Sequence, residues 1–290
     1  MKLVLATRGS ALALWQAERV AELLGGDVEL LLVKTSGDQR ADVPIHEIGG
    51  SGMFVKEVQL AVLEGRADLA QHSAKDLPAI TPDGLVLAAV PERGDPRDAL
   101  VGSTFDALPT GAQVATGSVR RRAQLAAARP DLTFAELRGN VDTRLAKASQ
   151  FDAIVLAAAG LDRLGRGDRI TERIDTGLML PMVGQGALAI ECRADDDATR
   201  ERLAAIDDAD LHTAVRAERA FLAELGGGCT LPCAAYATVD GDSVSVDALL
   251  AALDGSVVVR ARVANADPVK AGTAVAEAIF ERGGRELLAS

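Results

Sequence analysis

Short apolar runs alternate with amphipathic, helix-length stretches through the first two-thirds of this chain, and nothing else narrows its fold as far. Leu3 to Ala6 reads as a buried strand, Ser10 as the cap of a helix carrying Leu12, Trp15, Val20 and Leu23, and Val28 to Val33 as a second strand. A polar, glycine-rich stretch from Ser36 to Gly52 leads to a helix from about Met53 to Leu63 and a strand at Ala67 to Gln71. This βαβ rhythm predicts a largely parallel sheet with ligands at the carboxyl ends of its strands. It resumes after Pro91, with strands near Gln113 to Ala115, Thr133 to Leu137 and Ala153 to Leu156 between arginine-bearing helices.

Two stretches have the character of inter-domain crossings. Pro91-Glu92-Arg93-Gly94-Asp95-Pro96 is rich in proline and charge, and Leu180-Pro181-Met182-Val183-Gly184-Gln185-Gly186 has the glycines of a hinge. An apolar strand, Ala187 to Glu191, and helices at Asp196 to Ile206 and Leu211 to Leu225 follow. The tail changes pattern: strands at Ala234 to Val239, Ser243 to Leu250 and Ser256 to Val263 precede a helix from Pro268 to Arg282. That order predicts an antiparallel sheet with one helix, an α+β module. At 290 residues, two or three domains are expected.

Charge points to the class of ligand. The chain carries a formal net charge of -11, yet its arginines fall in tight groups: Arg120-Arg121-Arg122 straight after Gly117-Ser118-Val119, then Arg138, Arg144 and Arg163. A negative surface repels polyanions, so cations gathered in one stretch mark a local site for a carboxylate- or phosphate-bearing small molecule. The guanidinium fork suits such oxyanions, although a single arginine taken alone is more often a solvated helix face. Aromatic residues make up only 3%, leaving little for base stacking, which argues against a nucleic-acid partner. No apolar run is long and charge-free enough to cross a bilayer. The start, Met1-Lys2-Leu3-Val4-Leu5-Ala6-Thr7-Arg8, turns charged too soon for a secretory signal. Three cysteines argue against a disulfide framework and fit a reducing cytoplasm.

Two constellations carry possible chemistry. In Gly226-Gly227-Gly228-Cys229-Thr230-Leu231-Pro232-Cys233, three glycines clear the approach to Cys229 and present its thiol on an open loop, as a nucleophile or attachment point. Cys192 and Cys233 read as structural, and with only His46, His72 and His212 available a metal site is not expected. The second, Gln71-His72-Ser73-Ala74-Lys75-Asp76-Leu77-Pro78, closes a buried strand. There Lys75 and Asp76 can project an ammonium and a carboxylate into one cleft, the carboxylate to move protons or steady a cation. A Lys-Asp pair after a strand is more often an exposed turn, and His72 reads as a satisfied histidine near the sheet.

The ordered set of motifs resembles the porphobilinogen deaminase family. It comprises Thr7-Arg8-Gly9-Ser10 with Leu14-Trp15-Gln16, Phe54-Val55-Lys56-Glu57, His72 to Pro78, and Asp95-Pro96-Arg97-Asp98-Ala99. Ser118-Val119-Arg120-Arg121, Leu137-Arg138-Gly139-Asn140-Val141-Asp142-Thr143-Arg144, Gly184-Gln185-Gly186-Ala187 and Gly227-Gly228-Cys229 continue it. The resemblance implies two periplasmic-binding-protein-like α/β lobes facing a cleft, plus a C-terminal α+β domain that bears the cysteine. Residues 1–92 and 187–207 would form lobe 1, 93–186 lobe 2, and 208–290 the C-terminal domain.

It further implies a covalent dipyrromethane held by a thioether to Cys229, and Asp76 as the catalytic carboxylate. Four porphobilinogen molecules would be joined head to tail with loss of ammonia, and water would release hydroxymethylbilane. Lys75, Arg120, Arg121, Arg138, Arg144, Ser118 and Gln185 would hold the cofactor; Arg8, Ser10, Lys56, Arg138, Arg144 and Arg163 would hold substrate carboxylates. A monomer is the family expectation. Ser51 stands where many relatives carry lysine, and Arg122 extends the usual pair. Three successive helical residues fan over about 200°, so one should face away from the cleft, and Arg122 is the expected one. A non-enzymatic bilobal anion-binding protein would explain the lobes and arginines but would leave Cys229 idle.

Overall fold

The computed structural model describes residues 2–36, 54–227 and 231–288. Ser51, Cys229 and the glycine-rich stretch beyond Ser36 lie outside the described residues. The first part of the chain gives β1 (Leu3–Arg8), α1 (Ala11–Leu23), β2 (Val28–Val33), α2 (Lys56–Leu63), β3 (Leu69–Ser73) and β4 (Leu85–Ala89). Next come β5 (Asp98–Val101), β6 (Gln113–Ala115), α3 (Val119–Ala128), β7 (Thr133–Ala135), α4 (Val141–Ala146), β8 (Ala153–Ala157), α5 (Ala158–Arg163) and β9 (Glu172–Arg173). The chain then returns as β10 (Leu188–Arg193), followed by α6 (Asp197–Ala204) and α7 (Ala209–Glu224). It ends in β11 (Cys233–Asp240), β12 (Ser243–Ala251), β13 (Val258–Asn265) and α8 (Pro268–Glu281).

Two five-stranded sheets share one plan. The first runs β2-β1-β3-β10-β4 and the second β7-β6-β8-β5-β9. In each, three parallel strands are joined to a strand that arrives from the opposite lobe and runs antiparallel: β10 beside β3 and β4, and β5 beside β8 and β9. The sheets are largely parallel as expected, each with four strands running one way and a single strand opposed. A chain that leaves one lobe and re-enters the other comes in from the far end, so its strand must point the other way. This exchange of strands builds two α/β lobes of the same plan. The third sheet, β11-β12-β13, is wholly antiparallel.

Burial explains why these segments settle as they do. Leu3, Leu5, Leu69, Leu188 and Ile190 are fully buried in the first lobe, and Leu100, Val114, Ile154 and Val155 in the second. Each such side chain contributes about 1.5–3 kcal/mol relative to exposure. Helix ends follow side-chain chemistry. Ser10 Oγ accepts from Ala13 N (3.3 Å) at the start of α1, Ser118 Oγ from Arg121 N (3.4 Å) at α3, and Asn140 Oδ1 from Thr143 N (2.9 Å) at α4. Under the third sheet, α7 and α8 close on a core of Phe221, Val246, Val275 and Ile279. Gly272 permits that approach, because a Cβ there would collide with the Ala217 carbonyl. Among the described residues, no helix is long and apolar enough to cross a membrane.

Candidate active site

The cleft is built where β1 and β3 end side by side. β1 delivers Thr7 and Arg8, and β3 delivers Gln71 and Ser73 before a single 3-10 turn, Ala74–Asp76, that carries the Lys75-Asp76 pair. A small cavity of about 80 Å³ lies there, with Arg8, Ser10, Phe54, Lys75 and Asp76 among its lining residues. Its floor is a closed polar network. Thr7 Oγ1 donates to Gln71 Oε1 (3.3 Å), Gln71 Nε2 to Gln16 Oε1 (3.0 Å), and Gln16 Nε2 to Ser73 Oγ (3.0 Å). Gln16 and Gln71 are buried, so these bonds fix the turn beneath Lys75 and Asp76. The Arg8 guanidinium sits 4.3 Å over the Phe54 ring.

The second crossing stretch presses against the same turn. Gly184 adopts φ +69°, and a Cβ there would come within 2.9 Å of the Ala74 carbonyl carbon and 3.0 Å of Lys75 N. Only glycine fits this place, and that ties the second crossing to the Lys75-Asp76 turn. The two crossings bind each other through Gly94 N donating to Gly186 O (3.0 Å) and Leu188 N donating to Glu92 O (3.0 Å). Arg163 Nη2 donates to Gly186 O (2.8 Å) and lies 3.8 Å from Glu92 Oε1. Glu218 on α7 locks this region to the third sheet. The fully buried Glu218 carboxylate accepts from Arg93 Nη1 (2.6 Å), Gly184 N (2.6 Å) and Ala237 N (2.9 Å).

The arginines of α3 divide by face. Arg120 and Arg121 point inward onto the fully buried Asp98, with Arg120 Nη1 at 2.7 Å from Oδ2 and Arg121 Nε at 2.9 Å from Oδ1. They also donate to the carbonyls of Leu180 (2.8 Å) and Val155 (2.9 Å). Gln185 Nε2 completes the set at 3.0 Å from Asp98 Oδ1 and 2.7 Å from Pro96 O. Burial opposes ionisation of Asp98, but the two guanidiniums outweigh it and hold the carboxyl far below the ordinary carboxylate range. Arg122 points outward, half-exposed, 3.5 Å from Glu136 Oε1 and 5.8 Å from the Phe134 ring centre.

Lys75 and Arg144 stand differently. Burial pulls the Lys75 ammonium down to about 8; Asp76 and Asp98 act against this, while Arg121 and Arg144 reinforce it. Arg144 is drawn down to about 10, first by burial and then by Arg121 and Arg138, with Asp76 opposing. Arg144 Nε donates to the Gly139 carbonyl (2.7 Å), which sets the guanidinium over its own helix start. Lys75, Arg121, Arg138 and Arg144 thus share one electrostatic neighbourhood, in which Asp76 and Asp98 act on Lys75 and Asp76 on Arg144. Asp98 is already consumed by Arg120 and Arg121. The remaining cations fit a ligand with several carboxylates, as a dipyrromethane has, and would hold its side chains by charge-assisted bonds.

Of the residues singled out from sequence, Arg8, Ser10, Lys75 and Asp76 line the cavity, Arg121 and Arg144 act on Lys75 electrostatically, and Arg138 acts on Arg144. Ser118 serves as the α3 cap, Lys56 opens α2 exposed, and Arg120, Arg121, Arg163 and Gln185 donate to protein acceptors. Cys229 lies outside the described residues. Cys192 and Cys233 are buried, and burial pushes the Cys192 thiol up to about 11. Sequence reading missed the scaffold formed by Gln16, Gln71, Asp98 and Glu218. Asp98 and Glu218 had a signal: each is an acid set in an otherwise apolar run beside arginines.

Comparison with known proteins agrees with this geometry. The family model described as "Porphobilinogen deaminase, dipyromethane cofactor binding domain" matches residues 3–201, and the one described as "Porphobilinogen deaminase, C-terminal domain" matches residues 212–281. The porphobilinogen deaminase of Trichlorobacter lovleyi is 47% identical, over 99% of this chain and 96% of that protein. Those of Syntrophotalea carbinolica (48% identical; 98% and 94% covered) and Acidithiobacillus ferrooxidans (49%; 97% and 95%) are similar along their whole length. Mixed lobes with exchanged strands, an acid-base pair under a cluster of cations, and these matches lead to one conclusion: the chain belongs to the porphobilinogen deaminase family.

Proposed function

We propose that this chain is a hydroxymethylbilane synthase, joining four porphobilinogen molecules head to tail with loss of four ammonias and releasing the linear tetrapyrrole by addition of water. The observation that carries this reading is the Asp76 carboxylate in one neighbourhood with Lys75 and Arg144, whose affinity for protons burial lowers. When bound, the cofactor supplies the pyrrole terminus from which the product is built. The protein's part is electrostatic. Each porphobilinogen brings two carboxylates, which Arg8, Lys75, Arg138 and Arg144 are placed to hold. As ammonia leaves, positive charge develops on the substrate methylene, and Asp76 supplies a fixed counter-charge and a base for the departing pyrrole proton. The Thr7–Gln71–Gln16–Ser73 network keeps that carboxylate from drifting.

Cys229 is the proposed thioether residue. It follows Gly226 and Gly227, both at positive φ beyond the end of α7, and the other two thiols are buried. Residues 1–92 and 187–207 as lobe 1, 93–186 as lobe 2 and 208–290 as the cysteine-bearing domain fit the exchange of strands. A monomeric, cytoplasmic enzyme is the corresponding assignment. The reading as a non-enzymatic anion-binding protein finds no support among the relatives. Intact mass tests the proposal: protein from porphobilinogen-making cells should exceed its sequence mass by two porphobilinogens less two ammonias. Cys229→Ala should abolish the increment and Cys192→Ala should keep it. An unmodified wild-type mass would overturn the assignment.

A further inference from the structure

A second cavity, of about 510 Å³, shares no lining residue with the Asp76 cleft. Its size falls in the range of small-molecule sites, roughly 300–1,000 Å³. One wall is apolar and comes from β4, through Val86, Leu87 and Ala88. The other is cationic. His212, Arg216 and Arg219 follow one another at i, i+4 and i+7 on α7 and so share one helix face, and Arg200 approaches from α6.

Their acid partners lie at the rim: Asp267, at the start of α8, acts on the exposed Arg216 electrostatically. Arg200 reaches Asp197 Oδ1 only at an exposed 3.1 Å contact, and His212 Nδ1 is held by Asp207 Oδ2 at 2.9 Å. The buried Arg219 donates from Nη2 to the neutral Thr81 Oγ1 (3.0 Å), while its Nη1 has no acceptor. Glu191 is the acid that acts on Arg219 electrostatically, yet it spends Oε2 on Gln59 Nε2 (2.8 Å) and faces His72 Nε2 at 3.3 Å. Like charges one turn apart on a helix are unfavourable unless something neutralises them. In a chain of net charge -11, three arginines around one ligand-sized hollow are not a sample of its average surface.

We propose that this cavity is a second anion-binding site, separate from the Asp76 cleft, which takes a small organic oxyanion with an apolar body. The oxyanion would sit between Arg200, Arg216 and Arg219, and the body would lie along Val86 to Ala88. Because α7 runs on toward Gly226 and Gly227, such a ligand would clamp the cysteine-bearing domain to the first lobe.

The test uses the full-length holoenzyme with three probes in isothermal titration calorimetry: phenyl phosphate, benzoate and inorganic phosphate. Saturable one-site binding is expected for phenyl phosphate or benzoate, and whichever binds tighter identifies the head group as phosphate or carboxylate. An Arg200→Ala/Arg216→Ala double variant changes two exposed or half-exposed side chains. It should weaken binding at least tenfold while leaving turnover without probe unchanged; Arg219→Gln should weaken binding similarly. Inorganic phosphate binding as tightly as phenyl phosphate would remove the apolar body from the proposal. The proposal fails if neither organic probe saturates. It also fails if binding survives in the double variant and competes with porphobilinogen, since the probe is then in the Asp76 cleft.

Discussion

Asp98→Asn isolates what the buried acid at the base of the second lobe contributes. The carboxylate has no exposure and takes bonds from Arg120, Arg121 and Gln185. Asparagine keeps one acceptor oxygen but turns an NH₂ donor toward a guanidinium, and two buried cations lose their counter-charge. Breaking one buried ion pair by removing a single partner costs about 3–5 kcal/mol. Here the guanidiniums retain the Leu180 and Val155 carbonyls, which places the expected loss at about 4 kcal/mol rather than twice that. Out of a total stability of roughly 5–15 kcal/mol, that is a large fraction. Urea denaturation of the holoenzyme at pH 7, followed by circular dichroism, measures the loss. A cycle with Arg121→Met should return a coupling energy of about 2 kcal/mol or more. The pH dependence has a definite sign. The folded acidity of Asp98 lies below its ordinary value of 3.8, so its stabilisation is complete above that value and disappears as pH falls toward the folded one. The gap between wild type and variant should therefore be flat from pH 5 to 8 and shrink only in strong acid. A variant within about 1 kcal/mol of wild type at pH 7 would refute the reasoning.

Asp76→Asn should slow turnover roughly a thousandfold with the fold intact by circular dichroism, since losing a transition-state interaction of about 4 kcal/mol has that effect; activity within a fewfold of wild type would place the acid-base group elsewhere. Arg144→Leu should cost about 2–5 kcal/mol in holding ligand carboxylates, whereas Arg122→Leu, half-exposed beside Glu136, should cost less than about 1 kcal/mol. Steady-state rates and native gels of the enzyme-substrate complexes would show a reversed ranking at once. Lys75 loses its proton as pH rises through about 8 in the folded chain, against an ordinary 10.5, so KM for porphobilinogen should climb above pH 8. Lys75→Arg should remove that inflection, and an inflection that persists would assign it to another group.

The strands were legible wherever an apolar run ended at a turn signal. Val28–Val33 and Gln113–Ala115 fall where periodicity puts them, and α8 begins at the proline that announces it. The two crossing stretches were legible too, but strand direction and β5 itself escaped. β5 opens on Asp98, a charge that breaks the apolar signature, and its place in the sheet depends on β8 and β9, more than fifty residues downstream. Strand exchange is a property of the whole topology, and no local window contains it. The Lys75-Asp76 pair was visible because it follows a buried strand. Its support was not, because Gln16 and Gln71 meet across 55 positions and look like ordinary polar residues until α1 is laid over β3.

The buried cations of this chain sort by who supplies the counter-charge. Arg93, Arg120 and Arg121 each have a buried carboxylate within 2.7 Å, from Glu218 or Asp98, and these pairs hold lobes and domains in register. Among the described residues Lys75 and Arg144 have none of comparable quality, and their affinity for protons falls because burial outweighs the nearby Asp76. Keeping such groups charged costs stability in the free protein, a cost that an anionic ligand removes when it arrives. The same logic links the Asp76 cleft to the Arg219 cavity, where burial likewise lowers a guanidinium that lacks an ion pair. An acidic chain makes the arrangement selective, since only anions small enough to leave the repelling surface behind can reach cations set this deep. Ligands at either place should then stabilise the fold in proportion to the logarithm of their concentration. The midpoint of unfolding should rise most where the free protein carries the largest uncompensated charge.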